Sequence, residues 1–270
     1  MAMTRLRHRW PRSALPSLVM LLSLVLPVFL PTAAHAASEG RIIGGAPVDV
    51  ADHPWVVALV DTASRRAFCA GALVAPTKVM TAGHCAATRE PRRLRVVAGR
   101  TDLVAAHTGS VARVSDAVVH PDLHTPLAYG HDVAVLTLDR PLPYPTLPWA
   151  EPGDESPYQP GGTASVFGWG RTEEDGTAST HQLRVASVPM WDDERCAAAY
   201  PGRVDRESMV CAGAGGADAC QGDSGGPLVV DGRVVGLVSW GTGCGRPDRP
   251  GVYTRLSHLA DWVDAAVRSA

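Results

Sequence analysis

The chain predicts an all-β protein of one or two compact units with a single helical end, and three observations carry that prediction. Short apolar or alternating runs recur between Gly, Pro, Asp and Ser breakers. No β-helix-β alternation occurs. Apolar side chains repeat at helical spacing only near the C-terminus.

Each strand follows from this pattern. Runs fall at 55–60, 71–74, 94–98, 112–119, 133–138, 163–168, 183–189, 227–230, 234–239 and 251–254, each bounded by turn residues. The proline-rich stretch 141–160 reads as the linker dividing two similar halves. The helix is expected from Leu259, through Trp262, Val263, Ala266 and Val267, with Ser257 as its cap.

Residues 1–36 read as a secretory signal peptide that is removed. Arg5, Arg7, Arg9 and Arg12 give a basic start, Leu18–Leu30 is nearly all apolar, and Ala34-His35-Ala36 has small residues flanking the variable position. The apolar core is short and interrupted by Pro27, whereas a spanning helix needs roughly 20 residues. No membrane association is therefore expected once the signal is gone. The whole chain has a net charge of −2, but residues from Ile42 onward carry 20 basic and 26 acidic side chains. That part is acidic, with no run of like charges and no basic stripe, so nucleic acid is not an expected partner.

All six cysteines lie beyond the signal, in a chain bound for an oxidising compartment, so disulfides are expected. Fifteen pairings remain open by counting alone. No C-x-x-C spacing occurs, and no zinc or other metal site is expected.

Three segments carry chemistry. In Thr81-Ala82-Gly83-His84-Cys85, a histidine stands beside a half-cystine after an apolar strand. Histidines without such a setting, His53, His107, His120, His124, His131, His181 and His258, are read as structural. In Gly130-His131-Asp132-Val133-Ala134-Val135-Leu136, an acid opens a strongly apolar strand, where an unpaired carboxylate is costly. The third and most specific is Gly222-Asp223-Ser224-Gly225-Gly226-Pro227. A serine hydroxyl needs a base to become nucleophilic, and glycine lets backbone N–H groups converge on a developing oxyanion. Read as a bare G-x-S-x-G, it suggests an α/β-hydrolase elbow. The missing parallel-sheet pattern and the order His84, Asp132, Ser224 argue against that fold.

From Ile42 to about its end, the chain resembles the chymotrypsin and trypsin family of serine proteases. The resemblance rests on those three segments, on Ile42-Ile43-Gly44-Gly45 and on Ser239-Trp240-Gly241. It implies two antiparallel six-stranded β-barrels with a C-terminal α-helix, in a protease domain spanning 42–270. It implies a triad in which Ser224 attacks, His84 moves the proton and Asp132 orients the imidazole. The N–H groups of Gly222 and Ser224 would form the oxyanion hole, and Ser239 would hydrogen-bond Asp132.

Asp218 stands where trypsin-like members carry the pocket-floor aspartate, which implies cleavage after Arg or Lys. Gly241 and Gly251 match the pocket walls, Trp240 its flank, and Tyr200 the tyrosine at its entrance. Chymotrypsin-like or elastase-like specificity is the alternative within the family, against which Asp218 argues. A non-catalytic binding homologue is the alternative outside it, against which the complete triad argues.

The resemblance further implies a zymogen with propeptide 37–41, cut after Arg41 so that the Ile42 ammonium pairs with Asp223. It implies the pairs Cys69–Cys85, Cys196–Cys211 and Cys220–Cys244. Partners would be protein substrates and proteinaceous inhibitors, met by a secreted, extracellular monomer without cofactor. Two departures stand out: Gly83 replaces the usual alanine, and Arg100 stands where calcium-binding trypsins begin a carboxylate-bearing loop.

Overall fold

The computed structural model describes residues 42–176, 179–213 and 215–269. The expected signal peptide, the propeptide and Arg41 lie outside the described residues. Among the described residues thirteen strands occur in chain order: β1 (Ala46–Pro47), β2 (Val56–Asp61), β3 (Ala67–Ala75), β4 (Lys78–Thr81), β5 (Leu94–Ala98), β6 (Ser110–Val119), β7 (Ala134–Leu138), β8 (Thr163–Gly168), β9 (Arg184–Pro189), β10 (Met209–Ala212), β11 (Pro227–Val230), β12 (Arg233–Trp240) and β13 (Gly251–Arg255). The helices are α1 (Gly83–Ala87), α2 (Asp193–Ala199) and α3 (Leu256–Arg268).

Strands β2-β3-β4-β7-β6-β5 close into an antiparallel barrel, and β1-β9-β8-β11-β12-β13-β10 form a seven-stranded sheet. The fold is thus the chymotrypsin-like one: a closed six-stranded barrel, a half-barrel in which β1 adds a seventh strand, and a C-terminal helix.

Burial explains why β2 does not alternate polar and apolar residues. Successive side chains point to opposite faces. Val57 and Leu59 enter the barrel core, whereas Val56 and Ala58 pack with Val97, Phe167 and Leu183 against the second sheet. Strand β6 shows the one-sided pattern instead, with Ala112 and Val114 buried between exposed neighbours. The stretch 141–160 joins the halves but is not a loose linker. Leu142 N donates to Pro76 O, Leu147 N to Leu73 O and Ala150 N to Val234 O, each at 2.8–2.9 Å.

The C-terminal helix begins earlier than the spacing suggests. Arg255 is its N-cap and Ser257 lies inside the first turn, its Oγ donating to Glu155 Oε1 at 3.1 Å. Leu256, Leu259, Ala260, Val263 and Ala266 form the buried face. The disulfides are Cys69–Cys85, Cys196–Cys211 and Cys220–Cys244, as the resemblance implies. Closing loops of this length limits the unfolded chain by about 3 kcal/mol each.

Arg100 occupies a loop on the first barrel and is buried there. Its Nε donates to Thr108 O at 3.0 Å, and its terminal nitrogen donates to Thr108 O and Ala106 O.

Candidate active site

His84 is the second residue of the short helix α1, which follows β4 and is fixed through the Cys69–Cys85 bridge beside it. Asp132 sits just ahead of β7, its side chain fully buried. Three donors meet its carboxylate. His84 N donates to Oδ1 at 2.8 Å, the His84 ring Nδ1 stands 2.8 Å from Oδ2, and Ser239 Oγ donates to Oδ2 at 2.5 Å. Thr254 Oγ1 donates to the Asp132 carbonyl at 2.7 Å. A carboxylate so placed holds the histidine with Nδ1 protonated and leaves Nε2 as an acceptor.

Ser224 lies in the turn ahead of β11 and is held to β3. Its carbonyl accepts from Ala70 N at 2.8 Å. Gly225 follows at φ 75°, and a Cβ there would lie 2.1 Å from Thr81 Oγ1 and 2.6 Å from Ala70 O. Only glycine permits that approach, which presses the serine turn against the strand leading into His84. Among the described residues, the N–H groups of Gly222 and Ser224 donate to no acceptor, so both remain available to an oxyanion.

Asp218 lies behind this centre and is 1% exposed. Its Oδ2 accepts from Gly245 N at 2.9 Å, while Oδ1 has no hydrogen-bond partner. Burial pushes the carboxyl up to about 7, against the opposing effect of the surrounding amides, led by that of Gly245. A Cβ at Gly251 would stand 2.6 Å from Oδ1, and one at Gly241 would lie 4.0 Å from Gly251 Cα. Glycine at 251 thus keeps a side chain from colliding with the carboxylate, and Gly241 adds no side chain beside Gly251.

Tyr200 lies next to Trp240 and Pro250. It is buried, donates its hydroxyl to Pro250 O at 2.6 Å and packs edge-on against Trp240 at 4.8 Å. A phenol hydroxyl in the interior needs an acceptor, and the carbonyl before Gly251 supplies it.

The Ile42-Ile43-Gly44-Gly45 segment is inserted into the same region. Ile42 is fully buried, and Ile43 O accepts from Asp218 N at 3.0 Å. At Gly44, φ is 70° and a Cβ would lie 1.9 Å from Gly216 O. Asp223 is fully buried, with Oδ1 accepting from Gly170 N at 2.7 Å and Oδ2 from Cys220 N at 2.9 Å. Burial pushes it up to about 7, those two amides acting the other way. Gly168 and Gly170 make room for it, since a Cβ at either would collide with its carboxylate.

Several contributors escaped the sequence reading. Thr254, Gly168 and Gly170 are far from the motifs they serve, and nothing local marks them. The buried Tyr253, whose hydroxyl also lacks a partner, closes the pocket beside Gly251. Donor atoms of Cys69, His84 and Cys85 lie within 4.8 Å of one another, but both sulfurs belong to one disulfide and offer no thiolate to a metal.

The family described as Trypsin matches residues 42–263. The chain is 44% identical over 222 residues to a trypsin of Saccharopolyspora erythraea, covering 82% of this chain and 95% of that one. Trypsin eta of Drosophila melanogaster is 40% identical over 239 residues, covering 86% and 90%. Trypsin 5G1 of Aedes aegypti is 40% identical over 233 residues, covering 84% and 85%. With the fold, the bonded His84–Asp132 pair and these matches in agreement, the chain belongs to the trypsin family of serine endopeptidases.

Proposed function

We propose that this hydrolase cuts proteins after Arg or Lys through the triad His84, Asp132 and Ser224. His84 Nε2 takes the Ser224 proton as Oγ adds to the scissile carbonyl. The Gly222 and Ser224 N–H groups hold the resulting oxyanion. The histidine then protonates the departing amine, leaving an acyl-enzyme that water hydrolyses by the reverse proton path. Asp132 steadies the imidazolium, and Ser239 and Thr254 steady Asp132.

The specificity rests on one observation: a buried carboxylate oxygen of Asp218 without a hydrogen-bond partner, beside Gly251, where a side chain would collide with it. Such a group gains most from a cationic side chain that completes its bonding. Trp240 flanks the approach.

Activation follows the same logic at Asp223. Residues 1–36 direct secretion, 37–41 are removed by cleavage after Arg41, and the new Ile42 ammonium pairs with Asp223. No helix among the described residues is long and apolar enough to cross a membrane. Cleavage after an arginine makes self-activation a natural route, tested by whether Ser224→Ala precursor stays unprocessed without added protease.

The deciding experiment is hydrolysis of matched substrates ending in Arg, Lys, Phe or Ala, with Ile42 confirmed as N-terminus and Ser224→Ala as control. Turnover of Arg and Lys by a hundredfold or more over Phe and Ala, absent in the control, is expected. Turnover of Phe or Ala instead would overturn the pocket assignment.

A further inference from the structure

The β2–β3 turn and residues 89–95 carry a charge pattern that neither triad nor pocket uses. Along the sequence no basic stripe is evident, but folding assembles one. The β2–β3 turn brings Arg65 and Arg66 beside Arg89, Arg92, Arg93 and Arg95. Asp61 N donates to Arg66 O at 3.1 Å, and Thr62 N donates to Arg93 O at 2.9 Å. Two acids answer these six arginines. Asp61 takes Arg93 at 3.1 Å and Arg89 at 3.8 Å, and Glu90 takes Arg92 at 2.6 Å. Among the described residues, Arg65, Arg66 and Arg95 have no carboxylate partner.

The remainder of the chain from Ile42 has the opposite sign, with 14 basic and 24 acidic residues. The arginine surface is therefore a positive island on an acidic protein.

Its position is tied to the chemistry. The Arg89 guanidinium lies 3.8 Å over the Phe68 ring. Phe68 precedes Cys69, which is bridged to Cys85 next to His84, and Ala70 N holds the Ser224 carbonyl. In the proposed reaction the downstream half of the substrate departs at His84, which the Cys69–Cys85 bridge ties to Phe68 and so to the Arg89 edge of the arginine surface.

We propose that this surface recognises acidic side chains in the first few residues after the cleaved bond. The inference rests on the proposed cleavage after Arg or Lys. Arginine pairs with carboxylates bidentately and suits such recognition. A short acidic peptide segment fits better than a long polyanion, which would extend from the island onto acidic surface and be repelled.

The test uses internally quenched peptides with one Arg at the cleaved bond, followed by either Asp and Glu or Ala and Ser. The acidic peptide is expected to show kcat/KM at least about tenfold higher at low salt, the ratio falling toward one at ~0.5 M salt. The combined Arg65→Glu, Arg66→Glu and Arg92→Glu variant is expected to bring the ratio to one or below, whereas Arg268→Glu, on α3, keeps it. Efficient cleavage with equal rates on both peptides overturns the inference alone, as does a ratio that the triple variant leaves unchanged. A ratio near one, with retention on a sulfated polysaccharide lost in the triple variant, assigns the surface to a polyanion and also overturns it. No cleavage after Arg or Lys overturns the proposed function and this inference with it.

Discussion

The two halves of the protein treat their buried charges differently. The first barrel supplies Asp61 with two backbone N–H groups and arginine, and Asp132 receives three donors where the halves meet. The second half buries Asp218 with one hydrogen bond and Asp223 with two, and burial pushes both up to about 7. Buried side-chain atoms without a partner include Asp218 Oδ1, Trp240 Nε1, Tyr253 OH and Arg255 Nε, all in the second half. Of fourteen glycines at positive φ among the described residues, eight fall between 213 and 245. Under the proposed function, two cations from outside the second sheet, the new N-terminus and the substrate side chain, would complete Asp223 and Asp218.

The hardest break joins the halves at the nucleophile. Ser224→Ala should lower kcat by about 10⁵–10⁶-fold while leaving the fold intact, measured on material with Ile42 at its N-terminus. Asp132→Asn, which puts the fully satisfied carboxylate to the test, should cost about 10⁴-fold by favouring the wrong histidine tautomer.

The under-satisfied carboxylate should respond more selectively. Asp218→Asn should reduce kcat/KM for Arg substrates by about 3–5 kcal/mol, at least a hundredfold, with much less effect on an uncharged substrate. An equal loss on both would mean that Asp218 is a structural group.

The pH dependence of stability sharpens the contrast further. A carboxyl raised from 3.8 to about 7 in the folded state keeps its proton where the unfolded chain has released it. Its favourable contribution is present below about pH 4 and is lost as pH rises through about 7. Precursor carrying Ser224→Ala should lose up to about 1.4 kcal/mol per pH unit for each such carboxyl between pH 4 and 7 in denaturant unfolding. Asp223→Asn should remove about half of that slope, and the activated form should show a shallower one. The smallest change is Ser239→Ala, which removes one donor from Asp132 and should lower kcat about tenfold.

What was legible in the sequence was local. His84, Asp132, Ser224 and Asp218 sit in short segments whose neighbours mark them, and long apolar runs such as 55–60 became strands. Strand β4 was legible only as the apolar strand before the histidine, without bounds, because its four residues run directly into that segment. Strand β10 is similarly short, and β1 has two residues. The helix α2 did leave a signal in Asp192-Asp193-Glu194: Asp192 caps it by accepting from Arg195 N at 2.7 Å, and acids fill its first turn. The Asp132–Thr254 bond spans 122 residues. No pattern within one segment can announce such a contact, nor the meeting of Arg65 and Arg66 with the arginines of 89–95.

The loop closed by Arg100 has a consequence in mass action. A dissociable ion organises a loop only in proportion to how far its free concentration exceeds its dissociation constant. A guanidinium tethered to the same backbone is always present at an effective concentration set by the covalent chain. Its bonds to Thr108 O and Ala106 O are indifferent to dilution, to chelators and to the mineral content of the surrounding fluid. This corner of the barrel thus carries its own cation into whatever medium the protein enters.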